Sequence, residues 1–286
     1  MLDGKRVVVT GASRGLGRAF AVACAKNGAD VVINGRKAGV LEETRQAVEA
    51  QGARCVAVPG SVAEMDVCEQ IIQGAVEGLG GLDCLVNNAG ITRDRTLGRM
   101  TEEEFDDVVA VNLRGTWACG KLAAQAMRDA GTGGSIVNVV SNTAFSGAIG
   151  QTNYGASKAG VAGMSRTWTR ELARYHIRVN MIWPIAETDM TAGLIGTMQE
   201  STSTADPWSL GFGPPEAVAD VVVFLAGDAS KSVNGQVITF NGRRLALWSH
   251  PREVVTIHRD AWSADAIAAA FAGPLGRELQ ALYDAF

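Results

Sequence analysis

Short apolar, β-branched runs alternate along the chain with longer stretches whose apolar residues recur every three or four positions. The runs Arg6–Thr10, Asp30–Asn34, Arg54–Val58, Cys84–Asn87, Ser135–Val140, Ile177–Ile182 and Gln236–Phe240 predict seven strands. The first five show little apolar/polar alternation, as parallel strands do when helices cover both their faces. The pattern therefore predicts an α/β, doubly wound, Rossmann-type parallel sheet with helices on both faces. Helix ends carry their own signals: Asn27–Gly28 after the first helix, Gly52 after the helix around Leu41–Val48, and Thr101 with Glu104 as a capping box. No internal repeat or low-complexity linker interrupts the chain, so one domain over residues 1–242 is expected, followed by an extension over 243–286.

Composition narrows the choice of partner. With 286 residues, 47% of them hydrophobic, a sizeable core needs no disulfide staples. A net charge of −4 provides no basic footprint for nucleic acid. The five cysteines are odd in number and form no C-x-x-C pair, which suits free thiols in a reducing compartment. His176, His250 and His258 are too scattered for a helical metal site, so no catalytic metal is expected. The chain begins with an apolar strand rather than a signal-peptide pattern, and it has no apolar run of the ~20 residues that span a bilayer. Cytoplasmic placement without a membrane partner is the expectation.

The first strand runs directly into Thr10-Gly11-Ala12-Ser13-Arg14-Gly15-Leu16-Gly17 and then into an apolar helix. Glycine permits a tight turn and close backbone approach, while the helix N-terminus offers unpaired N–H groups to a pyrophosphate. A tight βα turn with no ligand is the plain alternative. Strand, glycine turn and helix in this order favour a dinucleotide site.

The spacing Thr-Gly-x-x-x-Gly-x-Gly resembles the short-chain dehydrogenase/reductase family. Asn87-Asn88-Ala89-Gly90, Asn112, Ser141 and Tyr154-Gly155-Ala156-Ser157-Lys158 follow in the family's order, so the resemblance covers roughly Leu2 to Gly242. It implies an oxidoreductase interconverting a carbonyl and a secondary alcohol. Tyr154 and Lys158 share a helix face at four-residue spacing, and a cation beside a phenol favours its ionised form. The expected general acid/base is Tyr154. The family implies that Ser141 binds the substrate oxygen, that Lys158 holds the nicotinamide ribose and tunes Tyr154, and that Asn112 supports a proton-relaying water. Taken singly, each of these residues could be an ordinary helix pair or strand cap.

Gly11, Ser13, Arg14, Gly15, Leu16 and Gly17 are the expected cofactor contacts of the turn. Ser61, Val62, Asn88, Ala89 and Gly90 are expected to contribute from the ends of the third and fourth strands, and Pro184 and Thr188 from the loop after the sixth strand. Gly35 stands where NAD-specific relatives usually carry an acidic residue, and Arg36 with Arg14 and Ser13 could bind a 2′-phosphate. NADP(H) is preferred; with both arginines merely solvated, NAD(H) remains possible.

Asn87 to Trp117 resembles 3-oxoacyl-[acyl-carrier-protein] reductases, whereas the shortened Pro184-Ile185-Ala186-Glu187-Thr188 and the stretch near Gly235 are similar to 3-hydroxyacyl-CoA dehydrogenase domains of multifunctional β-oxidation enzymes. Both imply an acyl-thioester substrate, on acyl carrier protein or CoA, and fatty acid metabolism. Residues Met190 to Phe212 could form a lid or pack as core. Arg166, Arg170 and Arg174 read as a carrier-docking stripe or as a solvated face. A catalytically silent NADP(H) sensor is the contrasting function class. In the extension, Leu245–Trp248 and Val254–Ile257 predict a hairpin, with helices at Ser263–Phe271 and Leu275–Tyr283. Its expected role is oligomer contact in a homodimer or homotetramer, with a cap over a neighbouring site as the alternative.

Overall fold

Apolar strands dominate the architecture. The computed structural model describes residues 1–202 and 206–279. Its sheet comprises β1 (Arg6–Val9), β2 (Asp30–Gly35), β3 (Cys55–Pro59), β4 (Cys84–Asn87), β5 (Gly134–Val139), β6 (Ile177–Pro184), β7 (Val237–Phe240) and β8 (Leu245–Leu247). The order is β3-β2-β1-β4-β5-β6-β7-β8, parallel throughout except for the antiparallel pair β7/β8. Strand order reverses between β1 and β4, which opens a crevice at their carboxyl ends.

Burial explains why the strands read as continuous apolar runs. Val7 and Val9 point into one core with Phe20, Ile33 and Leu41, while Val8 points into the other with Val32, Ile71 and Leu85. The helices are α1 (Gly15–Lys26), α2 (Ala38–Glu49), α3 (Met65–Gln73), α4 (Glu102–Val108), α5 (Gly115–Ala130), α6 (Thr143–Ser146), α7 (Thr152–Leu172), α8 (Ala192–Thr202), α9 (Pro215–Val218), α10 (Asp220–Ala226) and α11 (Ala264–Ala272). α1, α2 and α10 fill the first core, α3 and α5 the second. Thr101 and Glu104 form the expected capping box of α4, with bonds of 3.2 and 3.1 Å. Between α4 and α5, residues Val109–Arg114 wind as a π-helical turn that periodicity did not announce. Among the described residues no helix is long and apolar enough to cross a membrane.

The extension departs from its expected form. Leu245–Leu247 turns back onto β7, giving eight strands instead of seven, and Val254–Ile257 forms no strand. The short loop decides this: Asn241 Oδ1 accepts the N–H groups of Arg243 and Arg244 at 3.0 and 2.6 Å, and Gly242 adopts φ +90°. The four-residue connection 241–244 closes with little entropy loss, and Asn-Gly is a strong turn signal. Trp248 extends the pairing, donating its N–H to Val237 O at 3.0 Å.

The chain divides into compact units at Trp248/Ser249, so the first unit continues past Gly242. In the second unit Ser263 caps α11, its Oγ accepting the Ala266 N–H at 3.1 Å. Where a helix over Leu275–Tyr283 was expected, a single 3-10 turn spans Gly276–Glu278, and residues 280–286 lie outside the described residues.

Candidate active site

The glycine turn is packed as tightly as its composition requires. A Cβ on Gly11, which adopts φ +66°, would lie 2.7 Å from the Ala89 Cα, and one on Gly17 would collide with the Gly11 carbonyl. Asn88 ties the turn to β4, its Nδ2 donating to Thr10 O at 2.9 Å and Gly11 O at 3.1 Å. Thr10 Oγ1 in return accepts the Asn88 and Ala89 N–H groups, both at 3.1 Å. No side chain caps the N-terminus of α1, leaving its N–H groups to an anion. Ser13 Oγ is buried with no hydrogen-bond partner among the described residues and sits where a Cβ at position 35 would collide with it. Arg36, next along, is exposed.

The catalytic candidates gather at the carboxyl end of β4 and β5. A Cβ on Gly90 would lie 3.4 Å from Asn112 Oδ1 and 3.7 Å from Lys158 Nζ. Asn112 is wholly buried in the π turn, accepting the Ile91 N–H at 2.8 Å and donating to Ile91 O at 3.0 Å and Ser157 Oγ at 3.3 Å. Its carbonyl accepts the Thr116 hydroxyl at 2.7 Å. Lys158 Nζ donates to Val139 O at 2.9 Å and stands 5.7 Å from the Tyr154 ring centroid. Ser141 hydrogen-bonds the Tyr154 phenol.

Two loops complete the surround. Ser61 Oγ accepts the Ala63 N–H at 3.3 Å, and Val62 packs against Gly115 at the start of α5. After β6, which ends in Pro184, Thr191 Oγ1 accepts the Thr188 N–H at 2.9 Å and donates to Ala186 O at 2.8 Å. That knot holds Thr188 over the glycine turn, its Cγ2 being 3.6 Å from where a Gly15 Cβ would lie. The neighbouring Asp189 takes the Arg14 guanidinium.

A family model described as short chain dehydrogenase matches residues 5–198. The chain belongs to the short-chain dehydrogenase family. It is 41% identical to Hydroxyacyl-CoA dehydrogenase ChsB1 of Mycobacterium tuberculosis, covering 87% of this chain and 81% of that protein. It is also 41% identical to 3-oxoacyl-[acyl-carrier-protein] reductase FabG of Thermotoga maritima, covering 84% and 98%. A solved short chain dehydrogenase from Mycobacterium paratuberculosis, bound to NAD, matches with TM-score 0.74 and 31% identity over 84% of this chain and 97% of that one. This dehydrogenase is accordingly an oxidoreductase of a family that uses nicotinamide dinucleotides.

Electrostatics at this dehydrogenase's site differ from the expected balance. Burial pushes the Tyr154 phenol up to about 12; the Ser141 hydrogen bond opposes this and the Asp94 charge adds to it. The residue as a whole keeps part of its surface exposed, so water access moderates the effect. Lys158, with its side chain out of water, falls to about 8 by desolvation. Removal from water, which raises the phenol and lowers the ammonium, thus sets the balance in place of the expected lowering of the phenol by Lys158.

The sequence motifs included Asn87 but passed over Asn138 and Ser165, which build this dehydrogenase's site with it. A buried line from Asn87 Nδ2 to Asn138 Oδ1 (2.9 Å), and from Asn138 Nδ2 to Ser165 Oγ (2.8 Å), locks β4, β5 and α7 together. Asparagines inside apolar strands were the available signal. In the Met190–Phe212 stretch, Ile195 is buried while Leu194 is exposed, and residues 203–205 lie outside the described residues. Arg170 and Arg174 are exposed, Arg174 stacking on Tyr175, whereas the Arg166 Nε is buried. A cavity of about 450 Å³ lined by Lys5, Arg178 and Lys231 opens at the amino-terminal ends of the strands, opposite the edge that carries the catalytic candidates.

Proposed function

We propose that this chain is an NADP(H)-dependent reductase of 3-oxoacyl thioesters, carried on CoA or on an acyl carrier protein. The convergence of Gly90, Asn112 and Lys158 beside the Ser141–Tyr154 pair carries this reading. Tyr154 is the general acid/base, Ser141 binds the substrate oxygen, Lys158 holds the nicotinamide ribose, and Asn112 supports a proton-relaying water.

The dinucleotide fits the residues present. Gly11, Gly15, Leu16 and Gly17 would carry the pyrophosphate at the uncapped helix end, with Thr188 above it. Ser61 and Val62 would flank the adenine, and Asn88, Ala89, Gly90 and Pro184 the nicotinamide side. The unpartnered Ser13 hydroxyl beside a side-chain-free Gly35 suits a 2′-phosphate, with Arg36 and Arg14 as its cations. Bound there, the dinucleotide supplies the hydride.

The chain's own groups handle the proton. A phenol that keeps its proton far above neutral pH suits the reductive direction, in which Tyr154 protonates the forming alkoxide while Ser141 donates to the same oxygen. The Lys158 cation keeps the ribose in place and offsets negative charge as the phenol gives up its proton.

The relative named as a hydroxyacyl-CoA dehydrogenase supports a second reading, oxidation of a 3-hydroxyacyl-CoA by the same groups. A substrate panel decides between them. Acetoacetyl-CoA and carrier-linked 3-oxoacyl groups should be reduced with NADPH at a kcat/KM at least tenfold above that with NADH. Comparable values for both cofactors would sink the NADP(H) assignment, faster oxidation of 3-hydroxyacyl-CoA at neutral pH would select the second reading, and tight NADPH binding without turnover would select a sensor.

A further inference from the structure

Asp94 and Gln151 lie just outside the catalytic group, and their hydrogen bonds run towards it with a fixed polarity. Ser141 Oγ donates to Thr143 Oγ1 at 3.3 Å or Asn142 Oδ1 at 3.1 Å, and accepts the Thr143 N–H at 3.3 Å. Thr143 Oγ1 donates to Gln151 Oε1 at 3.2 Å, and Gln151 Nε2 donates to Asp94 Oδ2 at 2.9 Å. An ionised carboxylate can only accept. Asp94 therefore draws the amide nitrogen of Gln151 towards itself and leaves the amide oxygen facing Thr143. That oxygen takes the single Thr143 hydroxyl proton, so Thr143 Oγ1 is an acceptor to Ser141.

Asp94 is held in place from both sides. Asn153 Nδ2 donates to Arg93 O at 3.0 Å and Glu104 O at 2.9 Å, and the Arg95 N–H donates to Gly150 O at 2.8 Å. The flanking guanidiniums are engaged elsewhere, Arg93 with Asp107 at 3.6 Å and Arg95 with Glu104 at 2.9 Å.

We propose that Asp94 and Gln151 are positioning residues that act through Thr143 to fix where the Ser141 hydroxyl stands and which way it donates. The proposal rests on the reductase reading above. Without substrate, the Ser141 proton rests on long bonds to Thr143 and Asn142. An incoming carbonyl oxygen takes it by a turn about the Cβ–Oγ bond. The Asp94 charge also helps keep the proton on Tyr154. Lys158 on α7 also faces the phenol; α6 carries no charge, and Asp189 on the loop after β6 is paired with Arg14.

The test compares Thr143→Val, Gln151→Leu and Asp94→Asn with wild type, Thr143→Ser being the conservative control. Thr143→Val and Gln151→Leu should lower kcat about tenfold with the dinucleotide KM unchanged, and Thr143→Ser should restore most of it. Asp94→Asn should move the rise of the oxidation rate with pH a few tenths of a pH unit lower, a small shift because Asp94 is exposed to screening water. NMR of 13C-labelled tyrosine, with Tyr154 assigned through Tyr154→Phe, reads the same ionisation without turnover. Asp94→Asn, isosteric and at an exposed position, keeps this test open if the other variants misfold. Wild-type kcat in Thr143→Val and Gln151→Leu, or an unmoved Tyr154 titration in Asp94→Asn, would overturn the relay. A wild type that reduces no carbonyl would overturn the reductase reading, whereas an active wild type with unchanged kcat in both variants would overturn the relay alone.

Discussion

Lys158 is a cation kept almost out of water, 3% exposed, with Val139 O as its hydrogen-bond acceptor. Desolvation alone brings it from 10.5 to about 8, so the folded chain binds this proton less well than the unfolded one. The stability penalty is complete below pH 8 and fades as pH rises to 10.5, where the unfolded lysine also loses its proton. Stability should therefore climb with pH across that window. Lys158→Met keeps the volume and removes the charge, so at pH 7 it should raise Tm by roughly 2–4 °C per kcal/mol relieved while abolishing turnover. Melts at pH 7 and 9.5 check both points, because the gain must shrink at the higher pH. A lower Tm at pH 7 would mean that the Val139 carbonyl needs its donor more than the chain suffers from the charge.

Among the elements, the loop after β6 couples the cofactor turn to the substrate side. Its internal knot at Thr191 sets Thr188 over Gly15, and its Asp189 binds the Arg14 that a 2′-phosphate would use. An incoming phosphate must compete with that carboxylate. Asp189→Asn should therefore tighten NADPH about two- to fivefold and leave NADH unchanged, a modest effect because both partners are largely exposed. Fluorescence titration with each cofactor measures it, and equal tightening of both would show that the pair merely orders the loop. This loop also marks the limit of sequence reading. The glycine turn and the seven parallel strands were legible because a local pattern specifies each of them. Gln151 and the Val109–Arg114 π turn depend on contacts between distant segments, Gln151 with Asp94 and Asn112 of the turn with Ile91 and Ser157. Leu245–Leu247 was legible as a strand but not as the partner of β7, since an apolar run does not state which neighbour it pairs with. Asn241-Gly242 held that information in the turn.

At the scale of the whole molecule, the parallel order puts the carboxyl ends of β1 to β7 on one edge, where the glycine turn, Ser141 and the loop after β6 all emerge. β8 runs the other way, so Trp248 stands opposite Val237 at the amino end of β7. Trp248 stacks on Phe145 at 5.0 Å, meets Trp183 edge-on at 5.3 Å, and donates its Nε1 proton to Thr239 Oγ1 at 2.6 Å. Phe145 follows Ser141 by four residues, so the end of the first unit buttresses the catalytic loop. A chain ended after Gly242 should lose these contacts together with the β7/β8 ladder, at about 2–4 kcal/mol or roughly 5–15 °C in Tm, and with them much of its turnover. One ended after Trp248 should retain the melting temperature and dinucleotide binding of the first unit. Calorimetry on both truncations checks this, and equal melts would show that β8 adds nothing to the sheet. Light scattering on the longer truncation tests the remaining expectation for residues 249–286: a smaller assembly with turnover retained assigns them to subunit contact, and an intact assembly without turnover assigns them to a cap.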